Sequence, residues 1–324
     1  MRRREFLIAG AACGLGCSRR TLSPLRKLRV SAPMTLSASS LHLSYELGYF
    51  RQAGLEVEIV PLSNSLQMIA AAAGGKLDAF LSSLGTAFLN AVMRGAPIRI
   101  AAGREIVSSS CRKVGFLCAL RRSFPNGLSD LRVLKKKRVS AGTTVGFMQY
   151  ALDEHLAQAG LSIKDVEVVN LAGPDAITAM LNGGVDAILA FDESILRMRQ
   201  EELVFSRSFA DLHPNFQYGF IFFGRSLLAA DPLVGRRFLQ AYFDGAREFV
   251  RGESPQYLKR FADYAGARMS DLDYLCRASF AMDGSIDQNS LRLFSAWALR
   301  RGFIPRPAQV AELIDLRFLG EASA

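Results

Sequence analysis

Short apolar segments with the composition of β-strands alternate with amphipathic helical segments along the chain after residue 27. The first predicted strand is Arg29–Met34, and the predicted helix Leu41–Gln52 that follows it stops before Gly54, a residue type that commonly ends helices. Strand–helix–strand units of this length form parallel pairs with right-handed crossovers. The alternation therefore predicts an α/β fold in which mostly parallel sheets are flanked by helices.

The alternation occurs twice. A first block predicts strands Leu55–Pro61, Asp78–Ser82 and Ile98–Ala102 with helices Leu66–Ala73 and Thr86–Arg94. A second block predicts strands Arg138–Ala141, Val166–Leu171 and Val185–Phe191 with helices Gly146–Ala159, Ala176–Leu181 and Glu193–Glu202. A local pattern of helix end, acid and apolar strand also recurs, as Gly74-Gly75-Lys76-Leu77-Asp78-Ala79 and as Gly183-Gly184-Val185-Asp186-Ala187. We therefore expect two lobes of similar build.

Two extended segments, Cys111–Leu120 and Phe216–Phe223, separate the blocks and predict two crossings between the lobes. The second lobe is then an insertion in the first. The expected division is an export signal and linker in residues 1–27, lobe one in 28–112 plus 224–324, and lobe two in 113–223. The last part of lobe one is predicted to be helical, with Trp297 in the core. Its predicted helices are Leu233–Arg251, Pro255–Ala265, Ser270–Arg277 and Ser290–Arg301.

The N-terminal residues have the pattern of an export signal. Arg3-Arg4, one further residue and Phe6-Leu7 precede a small apolar stretch that ends near Gly16, and this resembles the twin-arginine signal. An ordinary basic signal sequence remains the alternative. Leu15-Gly16-Cys17 also resembles a lipobox, so a lipid anchor at Cys17 is a second open possibility. In either case we expect a periplasmic or extracytoplasmic protein.

Charge and composition exclude several classes of protein. The net charge is +10, but residues 1–27 carry +6 of it, so the remaining chain has no strong electrostatic reason to bind nucleic acid. The cluster Lys135–Arg138 is interpreted as a solvated turn before a strand, with an anion-attracting patch as the alternative. Five cysteines and three histidines lack metal-ligand spacing, and neither a nucleophile elbow nor a phosphate-binding loop occurs. We predict unpaired thiols, no metal, no cofactor and no catalytic site.

Three segments together resemble a known family. They are Tyr45–Val57, with Gly48-Tyr49-Phe50 and Gly54-Leu55-Glu56-Val57; Ala71–Ala79; and Val185–Glu193. Their order and spacing resemble the extracytoplasmic solute-binding proteins of ABC transporters of the nitrate, sulfonate, taurine and thiamine-pyrimidine type, over about residues 28–250. The chain departs from the family pattern in two places. Phe191-Asp192 stands where members carry a tryptophan before the acid, and Ser39-Ser40 stands where many carry an aromatic residue.

This resemblance implies a two-lobed periplasmic-binding-protein fold that closes on a ligand by bending at two hinge crossings. It implies a non-enzymatic, monomeric substrate-binding component of an ABC importer, with the transporter permease as its partner. The implied ligand is a small organic anion or a heteroaromatic compound, either sulfonate- or taurine-like or pyrimidine-like. The alternative is an enzyme on the same fold, lyase-like or pyrimidine-forming. The export signal opposes the first of these, and the lack of a cysteine cluster opposes the second.

Polar loops at the ends of predicted strands are the candidate ligand site. Ligands of open α/β sheets bind beyond the carboxyl ends of the strands, where helix N-termini favour an oxyanion. Hydroxyl-rich loops also serve as simple helix caps, and that interpretation stays open. The loop candidates are Ser39, Ser40, His42, Asn64, Ser65, Ser83, Gly85, Thr86, Thr143, Thr144, Gly146 and Phe147. Charged or aromatic candidates at other strand ends are Arg104, Phe191, Asp192 and Glu193.

Overall fold

The structure, a computed structural model, describes residues 25–62, 64–108, 114–142, 145–191, 196, 198, 202–252, 255–272 and 279–319. Its strands are β1 (Arg26–Ser31), β2 (Leu55–Ile59), β3 (Ala79–Ser83), β4 (Arg99–Gly103), β5 (Glu105–Ile106), β6 (Val114–Leu120), β7 (Arg138–Ser140), β8 (Glu167–Val169), β9 (Ala187–Phe191), β10 (Leu203–Phe205), β11 (Gly219–Phe223) and β12 (Ser279–Phe280). Its helices are α1 (Ser39–Glu46), α2 (Tyr49–Gln52), α3 (Ser65–Ala73), α4 (Thr86–Met93), α5 (Phe147–Ala157), α6 (Gly173–Leu181), α7 (Arg225–Leu228), α8 (Pro232–Arg251), α9 (Pro255–Ala265), α10 (Met269–Leu272), α11 (Gln288–Arg300) and α12 (Val310–Leu313).

Two five-stranded sheets with the same topology form the two lobes. The first has the order β2-β1-β3-β11-β4, and the second, read in the matching direction, has the order β8-β7-β9-β6-β10. In each sheet the first three strands are parallel, and the fourth strand is antiparallel to both of its neighbours. The predicted α/β, two-lobed fold is confirmed, and each sheet is mixed because the fourth strand runs against the others.

The repeated sequence pattern forms the same contacts in both lobes. In lobe one the backbone N–H of Arg29 donates to Asp78 Oδ2 at 2.6 Å, and Arg29 Nη2 donates to the carbonyl of Gly75 at 2.8 Å. In lobe two Arg138 makes the same two bonds, to Asp186 Oδ2 at 2.8 Å and to the carbonyl of Gly183 at 2.7 Å. The prediction of two similar lobes therefore holds at the level of individual hydrogen bonds.

The strand Gly219–Phe223 lies in the first sheet, so the predicted boundary of lobe two at residue 223 is wrong. All five residues of β11 are buried, because the strand sits between β3 and β4 with both faces covered. The two crossings run side by side before it. The N–H of Val107 donates to the carbonyl of Phe216 at 2.8 Å, and the N–H of Asn215 donates to the carbonyl of Val107 at 2.9 Å.

Other predicted elements shift in smaller ways. The predicted helix Leu41–Gln52 is divided into α1 and α2 by Gly48, which has a φ of 77° that glycine adopts without strain. Leu203–Phe205 is an edge strand that the sequence did not reveal, and most of the helix predicted over Glu193–Glu202 lies outside the described residues. Lys135 and Lys136 lie in an exposed turn directly before β7, as predicted.

One hydrophobic core extends through both lobes. It contains Phe80 and Phe88 of lobe one, Leu117 and Val139 of lobe two, and Trp297 of α11. Trp297 is 1% exposed, which confirms its prediction as a core residue. Cys118 is a buried free thiol, whereas the other cysteines lie outside the described residues. Within the described ranges, no helix is both long and apolar enough to span a bilayer.

Candidate functional site

A cavity of about 280 Å³ lies between the two lobes. It is placed at the carboxyl ends of strands, because its walls include the residues that follow β1 and β8 and the last residues of β7 and β9. This is the edge at which open α/β sheets bind ligands. The described residues that line it are Pro33, Met34, Thr35, Ser140, Gly142, Met148, Leu171, Ala172, Gly173, Pro174, Ala176, Ile177, Ile188, Leu189, Phe191, Phe261, Tyr264 and Ala265.

The lobe-one wall begins with the loop Pro33–Thr35, directly after β1. This loop is held from behind by Tyr257 of α9, whose hydroxyl donates to the carbonyl of Thr35 at 2.9 Å. The hydroxyls of Thr35 and Ser37 are 3.1 Å apart and share a hydrogen bond. Tyr257 is itself 0% exposed and stacks on His42 with 4.2 Å between the ring centroids. The loop is therefore fixed by contacts that do not involve a ligand.

Helix α9 completes the lobe-one wall with Phe261, Tyr264 and Ala265. The helix packs on lobe one through a cluster that includes Leu36, Leu43 and Phe261. Its aromatic residues differ in exposure, since Phe261 is 2% exposed while Tyr264 is 47% exposed. Phe261 therefore forms the inner wall, and Tyr264 forms part of the rim.

Lobe two contributes the ends of three neighbouring strands. Ser140 ends β7, and its hydroxyl donates to the carbonyl of Leu171 at 2.7 Å, which ties the loop after β8 to β7. The corresponding bond in lobe one joins Ser31 to the carbonyl of Val60 at 2.8 Å. Phe191 ends β9, is partly buried and forms part of the cavity lining. The lobe-two wall thus combines strand ends with a loop that a hydrogen bond holds in place.

Charged side chains are absent from the described lining of this cavity. The nearby His42 is also held neutral, because burial and the positive charge of Arg260 lower its pKa to about 4. No group of acidic, histidine and cysteine side chains suited to a metal ion occurs in the part of the chain that the structure describes. The described cavity therefore offers shape and apolar contact rather than charge.

Arg104, a predicted anion-binding residue, lies behind the cavity wall. It is 3% exposed and pairs with Glu105 at 2.7 Å between Nη2 and Oε2. Burial opposes its charge, but the attraction of Glu105, with a smaller contribution from Tyr242, outweighs this and raises the pKa of Arg104. Arg104 Nη1 reaches Ser37 Oγ at 3.4 Å. Arg104 thus contacts the Thr35–Ser37 loop through the Ser37 hydroxyl.

The predicted loops at the starts of α4 and α5 meet each other across the two lobes. The N–H of Thr86 donates to the carbonyl of Val145 at 3.0 Å, and the N–H of Phe147 donates to the carbonyl of Leu84 at 2.9 Å. The Thr86 hydroxyl donates to the same Val145 carbonyl at 3.0 Å. The two loops therefore lie against each other, and the N–H groups of each donate to a carbonyl of the other. Gly85 and Gly146 form the β-bridge at the centre of this contact, and Ser83 is exposed beside it.

The remaining predicted site residues fall into four groups. Ser39 and Ser40 are fully buried in α1, where their hydroxyls donate to the carbonyls of Leu36 and Ser37. Asn64 caps α3 by accepting a hydrogen bond from the N–H of Gln67 at 3.1 Å, and Ser65 is the first residue of that helix. Neither pair belongs to the described lining of the cavity.

Phe147 and Phe191 belong to an aromatic cluster beside the crossings. The Phe147 ring lies 4.7 Å from that of Tyr218 and 6.2 Å from that of Phe191. Phe147 is 1% exposed and contributes to the core, whereas Phe191 also lines the cavity. The last four predicted residues, Thr143, Thr144, Asp192 and Glu193, lie outside the described residues.

Sequence reasoning missed most of the apolar wall. Four helical residues line the cavity, namely Met148, Ile177, Phe261 and Tyr264. In the sequence, each occupies an ordinary position of an amphipathic helix. The signal that could have found Pro33–Thr35 was its position directly after the first strand. No comparable signal marks α9, which lies more than 220 residues further along the chain.

Comparison with known proteins identifies similar chains. Residues 39–252 match the family described as NMT1/THI5 like. The alkanesulfonate-binding protein SsuA from Xanthomonas axonopodis pv. citri, bound to MOPS, has a TM-score of 0.72 at 18% identity, covering 91% of this chain and 99% of that one. The periplasmic aliphatic sulphonate binding protein SsuA from Escherichia coli has a TM-score of 0.69 at 18% identity, covering 90% and 92%.

Two further relatives extend this picture. The periplasmic nitrate-binding protein NrtA from Synechocystis PCC 6803 has a TM-score of 0.66 at 12% identity, covering 90% of this chain and 86% of that one. A Haemophilus influenzae protein named for thiamine biosynthesis is 28% identical over 167 residues, or 51% of this chain. The match spans about half the length of that curated relative, 50%. At these identities the solved structures establish the shared two-lobed fold.

Proposed function

The chain belongs to the NMT1/THI5-like family, and from this we propose that it is the substrate-binding component of an ABC importer. Its ligand, a small organic anion or a heteroaromatic compound, binds in the cavity between the lobes. The proposal rests above all on the position of that cavity, which takes its walls from both lobes at the carboxyl ends of their strands. A ligand bound there contacts both lobes at once and favours the closed arrangement over an open one.

We propose binding rather than catalysis. The described lining carries the hydroxyls of Thr35, Ser140 and Tyr264, but it includes no carboxylate, imidazole, thiol or amine. A hydroxyl acts as a nucleophile only when a neighbouring base removes its proton. The Ser140 hydroxyl instead donates to the carbonyl of Leu171.

An enzyme on the same fold is the second candidate. The relative named for thiamine biosynthesis is the observation that favours it. The two functions differ in what happens to the ligand, since a binding protein returns it unchanged and an enzyme converts it.

The proposal includes the location and partner of the protein. The twin-arginine pattern at Arg3-Arg4 and the lipobox-like Cys17 both lie outside the described residues, and their reading as an export signal and a lipid anchor stays a prediction. The similarity in fold to periplasmic binding proteins supports an extracytoplasmic location and a transporter permease as partner. We propose that the protein acts as a monomer.

The experiment is a thermal-shift screen of purified protein against sulfonates, nitrate, pyrimidines and aromatic compounds, followed by calorimetric titration of each hit. We expect one ligand per chain and, by mass spectrometry after prolonged incubation, an unchanged ligand mass. A new product mass in the presence of active protein would assign the chain to the enzyme class. Failure of every compound to bind would contradict the binding role.

A further inference from the structure

The composition of the cavity wall limits the kind of ligand that fits it. Most of the lining is hydrocarbon or thioether, contributed by both lobes. The inner wall is fixed, because Ile177, Ile188, Leu189 and Phe261 are each between 2% and 5% exposed. A ligand that enters this space replaces water with apolar contact.

Two hydroxyls of the wall already have partners. Ser140 Oγ donates to the carbonyl of Leu171 at 2.7 Å. Thr35 Oγ1 shares a hydrogen bond with Ser37 Oγ at 3.1 Å. The buried cation Arg104, which reaches Ser37 Oγ at 3.4 Å, is paired with Glu105 at 2.7 Å. The described wall therefore supplies no charged side chain to a ligand.

A small anion is a poor match to such a wall. Moving an ionised group from water into an apolar site is costly unless a counter-charge or several hydrogen bonds replace its hydration. The described lining has no such counter-charge. Nitrate or a short alkanesulfonate would also leave much of the cavity, about 280 Å³, unfilled. Van der Waals contacts would then be missing on the side of the ligand that faces the unfilled space.

The volume indicates the size of the ligand. A cavity of about 150 Å³ lined by Leu, Ile and Phe holds one benzene molecule. The cavity here is about 280 Å³, which corresponds to a compound of about two fused rings.

Both lobes present side chains suited to flat rings. Phe191 is at the end of β9 in lobe two, and Phe261 and Tyr264 are on α9 against lobe one. Met34 and Met148, again one from each lobe, supply flexible thioethers that adapt to an aromatic outline. Aromatic and methionine side chains in contact with a ring give attraction beyond simple burial.

We infer that the ligand of the interlobe cavity is an uncharged, two-ring aromatic compound rather than a small inorganic or alkyl anion. The observation that carries this inference is an apolar cavity of about 280 Å³ with aromatic residues from both lobes and no charged side chain in its described lining. The inference rests on the proposed function and names the ligand class for that same site.

The test is calorimetric titration of the full mature chain with four probes: 2-naphthol, phenol, ethanesulfonate and nitrate. We expect 2-naphthol to bind at least tenfold more tightly than phenol, because the second ring fills the remaining volume. We expect it to bind at least a hundredfold more tightly than ethanesulfonate or nitrate. Each ratio is independent of the absolute affinity.

Two variants locate the binding. Met148→Asp places a carboxylate in the wall, and we expect it to weaken 2-naphthol at least tenfold. Leu181→Asp is the matched control, because Leu181 is an exposed apolar residue of lobe two outside the cavity lining, and we expect it to bind like the wild type. If Met148→Asp does not fold by circular dichroism, Phe191→Ala replaces it with the same expectation.

Binding of ethanesulfonate or nitrate as tightly as 2-naphthol would overturn the inferred ligand class and leave the binding role intact. If Met148→Asp and Leu181→Asp weakened the binding of 2-naphthol equally, the ring would lie outside this cavity, and the inferred ligand class would also be overturned. Lack of binding by 2-naphthol at millimolar concentration would also overturn it. The broader screen described above then decides separately whether the protein is a binding protein.

Discussion

The imidazole of His42 stacks on Tyr257 with 4.2 Å between the ring centroids, and the guanidinium of Arg260 lies over the ring of the same Tyr257. Burial and this charge lower the pKa of His42 to about 4. The neutral form is therefore favoured in the folded chain. The contribution to stability is present above the unfolded pKa of about 6.5 and is lost as the pH falls toward 4.

This linkage predicts a measurable difference in acid stability. From pH 7 to pH 5, the wild type is expected to lose roughly 1–2 kcal/mol more of its free energy of unfolding than His42→Phe. The phenyl ring retains the stack on Tyr257 but cannot bind a proton. Urea unfolding at both pH values measures the difference, and parallel loss in the two proteins would show that His42 does not titrate in this way.

Asp153 joins α5 to α11. It accepts hydrogen bonds from Trp297 Nε1 at 2.8 Å and from Arg301 Nε and Nη2 at 2.7 Å each, while being 4% exposed. Removing one partner of such a buried pair leaves the other unsatisfied. We expect Asp153→Ala to lower the free energy of unfolding by about 3–5 kcal/mol, measured by chemical denaturation.

The control for Asp153 is an exposed pair of the same chemistry. Glu312 and Arg306 lie 2.9 Å apart with side chains 39% and 44% exposed. We expect Glu312→Ala to cost less than about 1 kcal/mol, because water and counter-ions screen the pair. Similar losses for both variants would mean that the buried contacts of Asp153 carry no special weight.

Strand β11 depends on a glycine at its first position. A Cβ on Gly219 would lie 1.6 Å from Glu105 Oε2, which forms the ion pair with Arg104. Gly219→Ala must displace this buried carboxylate, and we expect a loss of about 3 kcal/mol in the free energy of unfolding.

Gly85→Ala is the comparison for Gly219→Ala. A Cβ on Gly85 would meet the carbonyl of Val145 at an ordinary 3.7 Å. We expect thermal denaturation to show a loss of less than about 1 kcal/mol. A loss for Gly219→Ala no larger than that for Gly85→Ala would contradict the packing described for β11.

Periodicity predicted most elements to within a few residues, because hydrophobic spacing fixes the face that each one buries. Pro255–Ala265 and Pro232–Arg251 are examples in which the helix ends nearly coincide. The strand Gly219–Phe223 was predicted as extended, but its assignment to lobe two was wrong. An all-apolar strand shows that both faces are covered, but it does not reveal which sheet covers them.

The sequence predicted one residue of the cavity wall but not the apolar composition of that wall. The expectation that ligands meet strand ends led to Phe191, which lines the cavity. The hydroxyl residues Ser40 and Thr86 were equally plausible by sequence, yet their donors bind Ser37 and Val145. In the sequence, a hydroxyl residue at a helix start has the same pattern whether it binds a ligand or caps the helix. An apolar residue on a helix face likewise has the same pattern whether it lines a cavity or packs in the core.

For the whole molecule, the arrangement of the two lobes determines the site. Their sheets share one topology, and their crossings pair side by side at Val107 and Phe216. The bridge between Gly85 and Gly146 fixes the lobes beside those crossings. Helix α9 of lobe one then faces the strand ends of lobe two across the cavity.

We propose that one ligand contacts both lobes at once. The most direct measurement is calorimetric titration of the wild type, Phe191→Ala from lobe two, Tyr264→Ala from the α9 rim, and the exposed control Leu181→Ala, with a ligand from the screen. We predict that Phe191→Ala and Tyr264→Ala each weaken binding at least tenfold, about 1.4 kcal/mol, while Leu181→Ala binds like the wild type. Wild-type affinity in both Phe191→Ala and Tyr264→Ala would contradict the claim.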